Sequence, residues 1–247
     1  MYLFQAPPTT RFDLRFTIAG IPVRVHPLFW VIALLFGSGS NSIFGIFTWV
    51  VAIFVSILVH EMGHALAFRR YGQDSFIVLH FAGGVTVPQS SGWGTGYGRE
   101  FNSNEQIVIS LAGPFAGFFL AVLVLAGSVA MGGTIVFNTI LGFIPFPLVY
   151  LPVGGQILNS FLLSLLWVNI FWGIVNLLPV MPLDGGHVAR HVLVQRDPWG
   201  GLRTSLWVSV ITGAVVAVIG LIFLQSIYMA FLFGMLAFQS FQMLQVR

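Results

Sequence analysis

Apolar residues dominate this chain in long runs, and short polar segments separate them. Stretches long enough to approach or cross the roughly 30 Å hydrocarbon core of a bilayer lie at about 27–42, 43–68, 106–131, 157–178, 205–224 and 226–243. They predict an all-α polytopic membrane protein of about six transmembrane helices. The first stretch is interrupted at its outer end by Gly37-Ser38-Gly39-Ser40-Asn41-Ser42. Residues 134–152 are also apolar, but Pro145, Pro147 and Pro152 punctuate them, and proline breaks a helix interior. That segment is expected as an outer loop or a half-inserted element.

Composition agrees. The chain is 57% hydrophobic and 7% charged, whereas soluble globular chains carry roughly a quarter charged residues. The net charge of +3 comes from ten arginines scattered through loops, with no basic stripe of the kind that binds nucleic acid. With a cytoplasmic N-terminus, six crossings place Arg11, Arg15, Arg24, Arg69, Arg70, Arg99, Arg190, Arg196, Arg203 and Arg247 all inside, and none in the outer loops around 37–42, 132–156 and 225. This is the asymmetry that orients inner-membrane proteins. Both termini and the polar loops are thus expected on the cytoplasmic side of the cell membrane. Residues 1–26 lack a compact apolar core and read as a retained cytoplasmic segment rather than a signal peptide, with 27–247 as the membrane domain.

Against this background His60-Glu61-Met62-Gly63-His64 stands out, because it follows an uncharged run from Ile43 to Val59. Ionisable groups at membrane depth are costly and mark function. Histidines four apart share one helix face, so His60 and His64 can both offer a nitrogen to one zinc ion, and Glu61 can reach a water there as general base. Cysteine is absent, so any metal is held by His, Asp, Glu or solvent. A catalytic zinc site typically has three protein ligands. Asp13, Asp74, Glu100, Glu105 and Asp197 lie in polar loops, which leaves Asp184 in Asn176-Leu-Leu-Pro-Val-Met-Pro-Leu-Asp184-Gly185-Gly186 as the outstanding candidate. About 17 residues of helix, roughly 26 Å of rise, bring HEMGH to the cytoplasmic third, where the span 157–178 also delivers Asp184. The prolines end that helix and the glycines permit close backbone approach.

HEMGH in one span with NLLPVMPLDGG at the end of a later one resembles the site-2 protease family of intramembrane zinc metalloproteases. Gly83-Gly84-Val85 and Leu111-Ala112-Gly113-Pro114 resemble further recurrent features of that family. The resemblance implies one Zn2+ per chain held by His60, His64 and Asp184, with Glu61 activating water and Asn176 near the scissile carbonyl, where its amide could stabilise an oxyanion. The alternative for Asn176 is to cap the helix end or bond within the bundle, and Asn169, seven residues earlier on nearly the same face, could equally be interhelical glue. The segment 76–88 reads as a short hairpin with a Gly-Gly turn. By resemblance it re-enters the membrane and pairs with an unwound substrate through Gly83, Gly84 and Val85.

The implied activity is endopeptidase cleavage in or near a transmembrane segment of another protein, in regulated intramembrane proteolysis. The partners are the membrane-embedded substrate and the lipid bilayer, and nucleic acid is excluded. Members with PDZ or CBS domains are longer, so regulation here is expected from a separate membrane protein, prior trimming of the substrate, or the loop 89–102. Gly92 to Gly98 in that loop lacks the flanking strand and helix of a nucleotide site, and Ser103-Asn-Glu-Gln106 reads as a capping box opening the next helix. Gly113-Pro114 would make room around the metal. His26 reads as interfacial, His80 as structural, and His187 as a partner to a ligand. A metal-binding scaffold without activity would not need Glu61, and a transporter would show an inverted repeat, of which there is no trace.

Overall fold

The computed structural model describes residues 6–39, 42–89, 100–140 and 144–245. In chain order the elements are β1 (Leu14–Ile18), β2 (Ile21–Val25), α1 (Pro27–Gly37), α2 (Ile43–Arg70), β3 (Ser75–His80), β4 (Gly83–Pro88), α3 (Ser103–Ala130), β5 (Thr134–Ile140), β6 (Ile144–Tyr150), α4 (Gly155–Asn176), α5 (Asp184–Arg196), α6 (Gly201–Ile222) and α7 (Ile227–Gln245). The chain divides into two compact units. One comprises Met1–Glu100 with Ala112–Gly173, and the other Phe101–Leu111 with Ile174–Arg247.

Among the described residues five helices, α2, α3, α4, α6 and α7, are long and apolar enough to cross a membrane. α1 departs from the expected span at 27–42. It stops at Gly37, with Ser38 as its C-cap, and eleven residues rise only about 16 Å. Gly37 lies where a Cβ would be 3.0 Å from the Trp49 ring, so the glycine both ends α1 and lets α2 approach.

In the first unit a four-stranded sheet of order β1-β2-β3-β4 packs on α1 and α2. β1 and β2 form an antiparallel hairpin through Ala19 and Gly20, both at positive φ, and β2 pairs with β3 in parallel. Residues 1–26, expected as a segment apart from 27–247, therefore contribute two strands to the sheet that holds the 76–88 hairpin. Ile21, Val23 and Val25 alternate inward in β2 and meet Ile77, Leu79, Ala65 and Phe29, while Arg24 on the opposite face bonds Asp13 at 3.1 Å and the Pro7 carbonyl at 2.7 Å. At the far end of α2, Arg69 donates to the Ala19 carbonyl at 2.7 Å.

Burial of the Asp13 carboxyl acts to raise its pKa, but hydrogen bonds from the Thr10 hydroxyl and amide and from the Arg24 guanidinium outweigh it and hold the group at about 2, below the ordinary 3.8. A lowered folded-state pKa stabilises the fold above the unfolded value, and that contribution disappears as pH falls through the folded one. Amide-exchange protection of β1 and β2 is thus expected to hold above 3.8 and decline towards 2. In Asp13→Asn the protection should be lower and flat over the same range.

Among the described residues of 134–152 there is no seventh membrane-length helix: Thr134–Ile140 and Ile144–Tyr150 pair as the antiparallel strands β5 and β6, and Phe146 and Val149 pack with Ala121 of α3 and Leu166 of α4. Inside α4, Val168–Trp172 make a π-helical turn. There the buried Asn169 amide donates to Ser56 Oγ and to the Leu165 carbonyl, both at 2.8 Å. Asn169 thus ties α4 to α2 one turn before His60, the interhelical role expected for it.

In the second unit α6 and α7 form an antiparallel pair closed by small residues: a Cβ at Gly213 would lie 3.1 Å from that of Ala237, and Ser209 and Ser240 share a buried 2.8 Å hydrogen bond. α3 opens with a reciprocal capping box one residue earlier than expected. Asn102 Oδ1 accepts from the Glu105 amide at 2.9 Å, and Glu105 Oε2 accepts from the Asn102 amide at 3.0 Å. The glycine-rich stretch 92–98 lies outside the described residues.

Candidate metal centre

α2 carries the HEMGH residues four and a half turns into an uninterrupted helix. The four-residue spacing brings His60 Nε2 and His64 Nε2 to 3.1 Å, with the rings edge-on at 77°. Two ligands about 2.0–2.1 Å from one tetrahedral ion sit roughly 3.3 Å apart, so the pair is already spaced for a shared cation. His64 is buried and His60 half-buried.

Two glycines make this packing feasible. Gly63 lies against the Ala112 backbone and the Ala116 methyl of α3. Gly113 faces the imidazoles, where a Cβ would overlap His64 Nε2 and stand 2.7 Å from His60 Nε2. The missing side chain at Gly113 is what leaves space for the two imidazoles. Gly113→Ala should push the rings off their common point and lower bound zinc per purified chain severalfold, whereas Gly127→Ala, in open space on the same helix, should leave it unchanged. Metal analysis of the two variants checks this.

Glu61 is buried, and its carboxylate is enclosed by β4. Thr86 Oγ1 lies 2.8 Å from Glu61 Oε2 and 3.0 Å from the Glu61 carbonyl, and a Cβ at Gly84 would be 2.6 Å from Oε1. The hairpin expected at 76–88 is present, but its turn is Phe81-Ala82. Gly83 and Gly84 instead open β4, opposite His80 and Leu79, with Val85 opposite Val78. Their glycine character serves contact with Glu61, and at Gly83 a φ of +120°, rather than the turn. β4 is an edge of the sheet.

In the second unit the NLLPVMPLDGG segment is folded tightly on itself. α4 ends at Asn176, a cis peptide precedes Pro182, and the Leu183 amide bonds the Val180 carbonyl at 2.8 Å. Met181 N donates to Ser209 Oγ at 2.8 Å, anchoring the segment to α6. Gly185 abuts the Leu177 and Leu178 backbone and Gly186 that of Val180, so neither tolerates a side chain. This fixes Asp184 as the first residue of α5. Among the described residues, His60, His64 and Asp184 are a group whose ligand atoms, one from each, all lie within 4.8 Å of one another. Two neutral imidazoles and one carboxylate are the donor chemistry of a catalytic zinc ion with a position left for water.

Asn176 is half-buried, and its side-chain amide makes no hydrogen bond among the described residues. His26 does not point into the site: it caps α1, its Nδ1 accepting from the Leu28 amide at 3.2 Å. His80 is buried at the end of β3, and His187 lies in the first turn of α5. Thr86 is the residue that the sequence did not single out. A threonine in a strand looks like an ordinary β-former, and only the hairpin register reveals it.

The peptidase family M50 model matches residues 48–218, and the chain belongs to that family. The site-2 protease of Methanocaldococcus jannaschii has a similar structure, with a TM-score of 0.54, 26% identity and 94% of each chain covered. A curated zinc metalloprotease of the same organism is 29% identical over 194 residues, covering 77% of this chain and 47% of the relative. A Mycobacterium tuberculosis protein named Rip3 is 28% identical over 185 residues, covering 73% and 35%. The chain thus spans less than half the length of these curated relatives. Family and apolar helices together make this a multi-pass membrane protein.

Proposed function

We propose that this chain is an intramembrane zinc-dependent endopeptidase that hydrolyses a peptide bond in or near a transmembrane segment of another protein, in regulated intramembrane proteolysis. The observation that carries this reading is the histidine pair of a membrane-length helix, with the intervening glutamate held beside it and the Asp184 ligand atom within 4.8 Å of theirs.

In this reading His60, His64 and Asp184 hold one Zn2+. When bound, the ion lowers the pKa of water towards neutrality and polarises the scissile carbonyl. Glu61 accepts the proton of the attacking water at its carboxylate and returns it to the departing amine nitrogen. Asn176, at the end of α4, donates its amide to the oxygen that gains negative charge, as an oxyanion donor does. The edge of β4 at Gly83, Gly84 and Val85 receives the substrate as an added strand, which exposes a peptide bond that a helix would shield. Residues 27–247 form the protease domain, supported by β1 and β2. The arginine distribution supports a cell-membrane location with the site and the C-terminus towards the cytoplasm, and the pairing of β2 with β3 and the Arg69–Ala19 bond hold the N-terminal strands at that same end of α2.

The test is co-reconstitution with a single-span substrate in proteoliposomes. The expected result is a new terminus, located by mass spectrometry in or beside the apolar segment, whose formation stops with a zinc chelator and resumes when zinc is restored. Intact substrate under conditions of full zinc loading would overturn the reading. The natural chain has no cysteine, so single cysteines at Phe137 and Gln195 report sidedness directly. Impermeant thiol reagent should reach the first only from outside the cell and the second only from the cytoplasm.

A further inference from the structure

We propose that Thr86 is a positioning residue for Glu61, and that strand β4 thereby couples substrate docking to the orientation of the base. The inference rests on the reading of Glu61 as the group that moves the proton.

Glutamate has three side-chain torsions, and an apolar helix offers a carboxylate few groups to fix them. β4 supplies what is missing. Positions two apart share one face of a strand, and here Gly84 and Thr86 are the two that meet Glu61. Gly84 leaves open the space beside Oε1 that a Cβ would occupy, while the Thr86 hydroxyl donates its single proton to Oε2 at 2.8 Å. The competing acceptor, the Glu61 carbonyl at 3.0 Å, is already within an α-helix, and a carboxylate is the stronger acceptor. The hydrogen bond holds Oε2 on β4 and the side-chain-free Gly84 lets the carboxylate lie there, which sets the orientation of the oxygen that faces the attacking water.

The strand that does this is also, among the described residues, an edge strand of the sheet. Its other edge is fully paired with β3 from Ser75–Pro88 to His80–Gly83, which makes it stiff. A substrate strand added on the open side contacts the same backbone that carries Thr86, so seating the substrate and aiming Glu61 become a single structural event. A hydroxyl needed only for packing would predict no such specificity.

The experiment compares Thr86→Val, Thr86→Ser and Glu61→Gln in the full reconstituted chain, measuring kcat, KM and zinc per chain. Thr86→Val keeps the shape and removes the donor. It is expected to lower kcat about 10- to 100-fold, the value of a hydrogen bond to a charged group, with KM within about twofold and zinc content unchanged. Thr86→Ser should restore kcat to within a few-fold of the natural chain. The proposal is overturned if Thr86→Val turns over normally while Glu61→Gln is inactive, if Val and Ser variants are equally impaired, or if the Val defect tracks with lost zinc. Full activity of Glu61→Gln would instead overturn the underlying assignment of the base.

Discussion

Glu61→Gln is expected to lower the turnover of a membrane-embedded substrate by roughly 10²- to 10⁴-fold, the range supplied by a positioned acid–base group, while zinc binding stays intact. The substitution keeps the size of the side chain, and Gln Oε1 can still accept from Thr86, so the packing against β4 has no reason to change. What disappears is a group able to take a proton from water and return it to nitrogen. Measuring proteolysis together with zinc per chain separates this from a ligand defect. Activity within about tenfold of the natural chain would remove Glu61 from the reaction.

Asp184→Ala has the complementary expectation, a chain that folds but no longer retains zinc. Mutating a group that merely supports a metal ligand typically costs 10- to 100-fold in affinity, so removing a ligand is expected to cost at least about 100-fold. Bound metal should then fall from about one per chain to a small fraction after purification. The fold should survive, because the segment is held by Gly185 and Gly186 against the backbone of 177–181 and by the Met181–Ser209 hydrogen bond, none of which involves the Asp184 carboxylate. Zinc content equal to the natural chain would exclude Asp184 as a ligand.

The same residues explain how much was legible beforehand. Five membrane-length helices announce themselves because a span must be apolar around its whole circumference. HEMGH was conspicuous because nothing else in α2 before it is ionisable. Short strands carry far less signal. Leu14, Phe16 and Ile18 alternate, as do Ile21, Val23 and Val25, on either side of an Ala-Gly turn, but a window of about 20 apolar residues passes over five-residue strands. Gly83-Gly84 looked like a turn because glycine supports positive φ. The structure instead uses Gly84 for space beside a carboxylate, a contact 23 residues away in sequence that no local pattern encodes. The capping box moved by one residue because Asn102–Glu105 and Ser103–Gln106 both satisfy the three-residue spacing. Thr86 had no local signature at all, since its role depends on the register of β3 and β4 and on where α2 places Glu61.

The central claim is that two histidines of α2 and the first residue of α5 hold one catalytic zinc. Zinc-edge X-ray absorption on the detergent-purified natural chain addresses it most directly. The account predicts about one zinc per chain, with two imidazole nitrogens and a small number of oxygen ligands at about 2.0–2.1 Å. A first shell without imidazole scattering, or a monodisperse chain that neither contains nor takes up zinc, would contradict it.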